Sequence, residues 1–201
     1  MNGSRFLPSA LATLFLSSTC LADDIPHRVM LDEYTKFTQA DRRDRTNHVA
    51  DIWVAIQSLD IASLTKLIDQ GLTSEELTHG LIAASNSKSV ETLSMLISAG
   101  ADVSSEEGIA LTTASASDCY GCVRVLLEAG ADVRASNDEA LFTAAHFGRY
   151  HVAELLLKAG ANPSARGEGV IASEAHSRGF HSVADLIATH GRPANMLSVD
   201  R

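Results

Sequence analysis

The sequence predicts an all-α protein built as a helix-turn-helix solenoid of about five repeats, and three observations lead there. The octapeptides Leu-Ile-Ser-Ala-Gly-Ala-Asp-Val at 96–103, Leu-Leu-Glu-Ala-Gly-Ala-Asp-Val at 126–133 and Leu-Leu-Lys-Ala-Gly-Ala-Asn-Pro at 156–163 are one motif written three times. With weaker copies added, their glycines fall at Gly71, Gly100, Gly130, Gly160 and Gly191, at steps of 29, 30, 30 and 31 residues, a spacing in the range of solenoid repeats. The composition is 45% hydrophobic but only 5% aromatic with 4 prolines, which favours helices over a β-sandwich.

Each unit reads as two helices. Before the glycine, apolar residues recur at helical spacing, as in Cys122, Val125, Leu126 and Ala129 and again in Val152, Leu155, Leu156 and Ala159, so the second helix is amphipathic. The column four residues before the glycine is Leu67, Leu96, Leu126, Leu156 and Ile187. Stacking the units lays these into one stripe that is buried only against its neighbours. The glycine sits at the C′ position, where a left-handed backbone is costly for a residue with a Cβ. The first helix carries small residues where helices must approach: Ala84 and Ser85, Ala114 and Ser115, Ala144 and Ala145, then Ala175 and His176.

Residues 1–22 read as an export signal. Arg5 precedes an apolar run, Phe6 to Leu16, and Cys20 and Ala22 occupy the small-residue positions before Asp23. The run is too short, and too broken by Pro8 and hydroxyl residues, to span a bilayer. Lipid attachment at Cys20 fits less well, because Ser17, Ser18 and Thr19 do not supply the Leu and the small Gly or Ala that normally precede a lipidated Cys. Location in the periplasm or outside the cell follows as the expectation. Residues 23–49 break the repeat but hold Val29, Met30, Tyr34 and Phe37, which suits an N-terminal capping segment. The repeat domain is expected over 50–191 and a loose tail over 192–201.

The net charge is −9. Cleavage after Ala22 removes Arg5 and no acid, leaving 25 acidic residues against 15 basic ones, a net −10. That sign disfavours nucleic acid and anionic membranes and favours a protein partner with a basic surface.

The units resemble ankyrin repeats, in which a Thr-Pro-Leu-His start, an Ala-Ala pair, a Gly-His turn and a Leu-Leu-Leu-x-x-Gly-Ala-Asp ending recur. The ending matches best. The start is degenerate, with Ile109-Ala110-Leu111-Thr112 and Glu139-Ala140-Leu141-Phe142 in its place. The period is about three residues short of the ankyrin 33, and the deficit falls after the glycine, which implies shortened β-hairpin fingers. The resemblance covers roughly residues 50–191. It implies a monomeric, non-catalytic module that binds another protein through the hairpin tips and the exposed side of the first helices. Carried over, the contact residues are Asn86, Ser87, Ala116, Ser117, His146, Phe147, Ser177 and Arg178, with Tyr150 beside them. Phe147 is the sharpest candidate for an aromatic anchor, while Tyr150 is expected to pack against the adjoining repeat. Among exported proteins of this look, an immunity-type inhibitor of a toxin or an accessory factor for an envelope protein is the most concrete role.

Enzymatic signals are weak. Ser63 with Lys66 and Ser85 with Lys88 make loose Ser-x-x-Lys matches that lack partner motifs. The eight histidines include no i, i+4 helical pair with a third ligand nearby, so no metal or other cofactor is expected. Cys119-Tyr120-Gly121-Cys122 has two readings. It is a structural disulfide or buried thiol pair, since Cys122 stands in the column of Val152 and Val183, or it is a redox-active pair at a helix N-terminus, which makes a thiol redox protein the alternative function.

Overall fold

The structure, a computed structural model, describes residues 48–191. The leader, the tail 192–201 and all but the last two residues of the capping segment lie outside them. Among the described residues ten α-helices form five antiparallel pairs: α1 (Val49–Gln57) with α2 (Ile61–Asp69), α3 (Ser74–Asn86) with α4 (Val90–Ser98), α5 (Ile109–Ala116) with α6 (Tyr120–Glu128), α7 (Ala135–His146) with α8 (Tyr150–Lys158), and α9 (Val170–Ser177) with α10 (His181–Gly191). The first helices α1, α3, α5, α7 and α9 each pack on the next, and α4, α6, α8 and α10 form a second layer.

Burial follows the predicted columns. Leu96, Leu126, Leu156 and Ile187 are fully buried, as are Ala84, Ser85, Ala114, Ser115, Ala144, Ala145 and Ala175. Two columns fail at the ends of the array. Leu67, in the first repeat, is only half-buried, and His176 is exposed at the last. Small residues thus line the interior contacts between first helices, where anything larger would hold the backbones apart.

Three left-handed corners set the period. One follows each second helix at Gly71, Gly100, Gly130 and Gly160, with φ from +88° to +101°. There the amides of Ala101, Ala131 and Ala161 donate to the carbonyls of Leu96, Leu126 and Leu156, so the buried leucine column also closes its own helix end. Gly191 does not continue this series, since α10 runs through it in helical conformation. Another corner joins the paired helices at Leu59, Lys88, Asp118, Gly148 and Gly179, all at positive φ. The next amide donates to Ala55, Ala84, Ala114, Ala144 and Ala175 respectively, at 2.8–3.1 Å.

The last corner replaces the hairpin finger. Among the described residues there is no strand. The side chains of Asp102, Asp132 and Asn162 accept from the amides of Ser104, Arg134 and Ser164 at 2.9–3.0 Å, starting each finger as an Asx turn. A left-handed segment follows at Glu106–Gly108, at Ser136–Asp138 and at Gly167 and Gly169. With three residues fewer than the 33-residue repeat, the finger has no length left for a paired ladder.

Glu76 anchors the start of the array. It closes a capping box with Thr73 at the N-terminus of α3, and its other oxygen accepts from the His48 amide at 2.7 Å. Burial pushes this carboxyl up, but the amides of His48 and Thr73 and the Thr73 hydroxyl outweigh burial and hold it below its ordinary value.

Gly130 and Gly191 give opposite outcomes on replacement by alanine. Gly130→Ala forces a side chain into a left-handed corner and lowers unfolding free energy by about 1 kcal/mol. Gly191→Ala, in a helix with ordinary contacts to Pro163, is neutral or stabilises by up to about 1 kcal/mol. Urea unfolding of both variants checks this.

Candidate functional site

The residues singled out by the family resemblance lie in one row, where the first helices end and turn into the second. The structure brings them together but does not expose them equally. Ser177, Arg178 and Tyr150 are exposed, Asn86, Ser87, Ser117 and Phe147 are half-buried, and Ala116 and His146 are buried.

Much of the row holds neighbouring repeats to each other. Gln57 Nε2 donates to the Ser87 hydroxyl at 2.9 Å, and Arg149 Nε donates to the Ala116 carbonyl at 3.1 Å. His146 Nδ1 lies 2.8 Å from Glu174 Oε1. A carboxylate only accepts, so this ring nitrogen carries the proton. Arg178 Nε donates to the same oxygen at 2.8 Å. His146, expected on the surface, is therefore turned into the stack by a carboxylate 28 residues away that the sequence reading did not single out. The three serines of the row also return their hydroxyls to their own helices, on the carbonyls of Ala83, Thr113 and Glu174.

Of the two aromatics, Tyr150 is the more exposed. Phe147 packs edge-on against the His146 ring at 4.8 Å, with the Arg149 guanidinium 5.8 Å from its centroid. Tyr150, expected to be covered, is 39% exposed, and Tyr120 at the matching first position of α6 is 49% exposed. The recurrence of tyrosine at one repeat position is the sequence signal that marks this pair. Beside Phe147, the Phe180 ring lies on Gly148, where a Cβ would come within 2.4 Å of it.

Cys119 and Cys122 form a disulfide. Cys119 is the N-cap of α6, and its sulfur accepts from the Cys122 amide at 3.2 Å. Asp60 and Ser89 cap α2 and α4 in the same way at the corresponding positions. Both cysteines are buried, Cys122 completely, so the pair serves as cap, core residue and crosslink together. A disulfide exchange partner would need access to sulfur that packing denies it.

The geometry is that of a helical-repeat solenoid. The family model for ankyrin repeats (3 copies) matches residues 54–167, and the chain belongs to the ankyrin-repeat family. The match stops before α9 and α10, which nonetheless continue the stack. No curated protein matches the chain. Ankyrin-repeat domains are typically non-catalytic modules that mediate protein–protein contacts.

Two outcomes follow. Reduction of the four-residue crosslink lowers unfolding free energy by about 2 kcal/mol or less. The double variant Cys119→Ser with Cys122→Val restores the cap of Ser89 and the core residue of Val152, and it stays within about 1 kcal/mol of the oxidised protein. Calorimetry with and without reductant checks both. The second outcome concerns pH. The Arg178 hydrogen bond holds the Glu174 carboxyl below its ordinary value, burial opposes this, and His146 adds to the lowering. A depressed carboxyl stabilises the fold above its unfolded value, about 4.3, and that contribution fades as pH falls through the folded value. Glu174→Gln is thus less stable than the parent at neutral pH, and urea midpoints of the two converge as the pH falls below about 4.

Proposed function

We propose that this chain is a non-catalytic binding scaffold of the cell envelope, exported through residues 1–22, that engages a protein with a basic surface as an immunity-type inhibitor or an accessory factor. The family supports a binding scaffold, and the distribution of charge supports the basic partner. Residues 48–118 carry ten acids and two bases, a net −8, whereas residues 119–191 carry eight acids and six bases, a net −2. Nine of the ten acids in the first group are exposed. The side-chain ion pairs Arg124–Glu128, Glu139–Arg166, His146–Glu174, Glu154–Lys158 and Glu174–Arg178 all lie in the second group. The first repeats therefore present an excess of exposed negative charge over Lys66 and Lys88, a field that steers a basic partner and speeds its encounter. Ser87 and Ser117 stand on the contact row within that region.

Affinity capture from envelope extract tests the reading, using the chain tagged at its C-terminus. The expected result is one stoichiometric partner, released by salt, on a bait whose N-terminus is Asp23. It is lost from the double variant Ser87→Arg with Ser117→Arg, which places two cations on the row. Retention of the same proteins by parent and variant alike removes the assigned face, and an intact leader on the bait removes the export reading.

A further inference from the structure

We propose that His176 and His181 form a two-imidazole binding site for a divalent transition-metal ion of the kind that favours nitrogen ligands, such as Zn2+. His176 lies in the last turn of α9 and His181 is the first residue of α10. The corner between them is closed by Gly179, at φ +86°, whose amide donates to the His176 carbonyl at 3.0 Å, and by the Phe180 amide on the Ala175 carbonyl at 2.9 Å. This corner sets the two Nδ1 atoms 3.2 Å apart, with ring centroids at 4.6 Å and planes at 63°. Both residues are exposed.

Two facing imidazole nitrogens share at most one proton. A tetrahedral ion with metal–nitrogen bonds of about 2.0–2.1 Å holds two nitrogens about 3.3 Å apart. The observed spacing is therefore already the bite of such an ion, which takes the lone pairs of both Nδ1 atoms while each neutral ring carries its one proton on Nε2. Among the described residues no third His, Cys, Asp or Glu joins them, so water completes the coordination and the ion exchanges readily.

Register explains why only the last repeat has the pair. His146 and His151 have the same separation of five, but His146 is buried against Glu174 and the His151 ring meets Tyr150 at 5.5 Å. His176 instead occupies the position of Ser85, Ser115 and Ala145, which are buried under the following repeat. At the end of the array that position is open and accepts a ring, while His181 takes the position of Tyr120 and Tyr150. The i, i+4 criterion describes one continuous helix and misses a pair that straddles a corner.

Zinc chloride titrated into the metal-free full-length chain tests the site, followed by calorimetry and by NMR of the imidazole nitrogens. The expected result is one saturable Zn2+ per chain, with the His176 and His181 Nδ1 signals moving together. His176→Asn and His181→Asn each weaken binding by at least roughly tenfold, and His151→Asn leaves it unchanged. Affinity that is equal in the parent and both single variants, or shifts confined to other histidines, overturns the proposal. So does an unmoved pair of ring signals.

Discussion

No repeat of this protein can bury its own apolar stripe. Leu96, Leu126 and Leu156 are fully enclosed only because repeats stack on one another, and the small residues from Ala84 to Ala145 let the first helices approach closely. Stability in such a stack is a sum of weak units and the interfaces between them. The geometry of the corners has to serve those interfaces, because a unit that turned by a different angle would present its leucine to solvent.

The corners are where this chain departs from a longer ankyrin period. It gives up the hairpin and turns the chain with an Asx side chain and a left-handed segment, and at Ser136, Asn137 and Asp138 it does so without glycine. Those residues are held by bonds between fingers and repeats: Ser136 donates to the Glu107 carbonyl, and buried Asp138 accepts from the Asn162 amide at 2.6 Å. Strain within one finger is compensated by contacts with the next repeat. The same long-range logic fixes the contact row, where Gln57, Arg149 and Glu174 each reach across to a neighbouring unit.

The repeat was legible because a period of about 30 residues writes the same physical demand several times. Leu126, Gly130 and the Ala144–Ala145 pair each announce a slot, and the structure fills it. Gly191 misled because a glycine at the right distance says nothing about whether the chain turns there. His146 misled for a different reason. Its burial depends on Glu174, a residue about one repeat away that no local pattern connects to it. Left-handed Lys88 and Asp118 were equally invisible, since neither residue type advertises the conformation. The distinction between a disulfide and two thiols at Cys119 and Cys122 is a matter of side-chain placement, which the spacing alone leaves open.

A stack of repeats can come apart by peeling from an end or by parting in the middle. The Cys119–Cys122 bond joins no two repeats; it stiffens one turn of the third unit, the middle of five. Its benefit is therefore local, and it falls on the unit whose loss would cut the array into two short pieces, neither with enough neighbours to stay folded. The crosslink thus acts on the centre and leaves the interfaces of the outer repeats to their own packing.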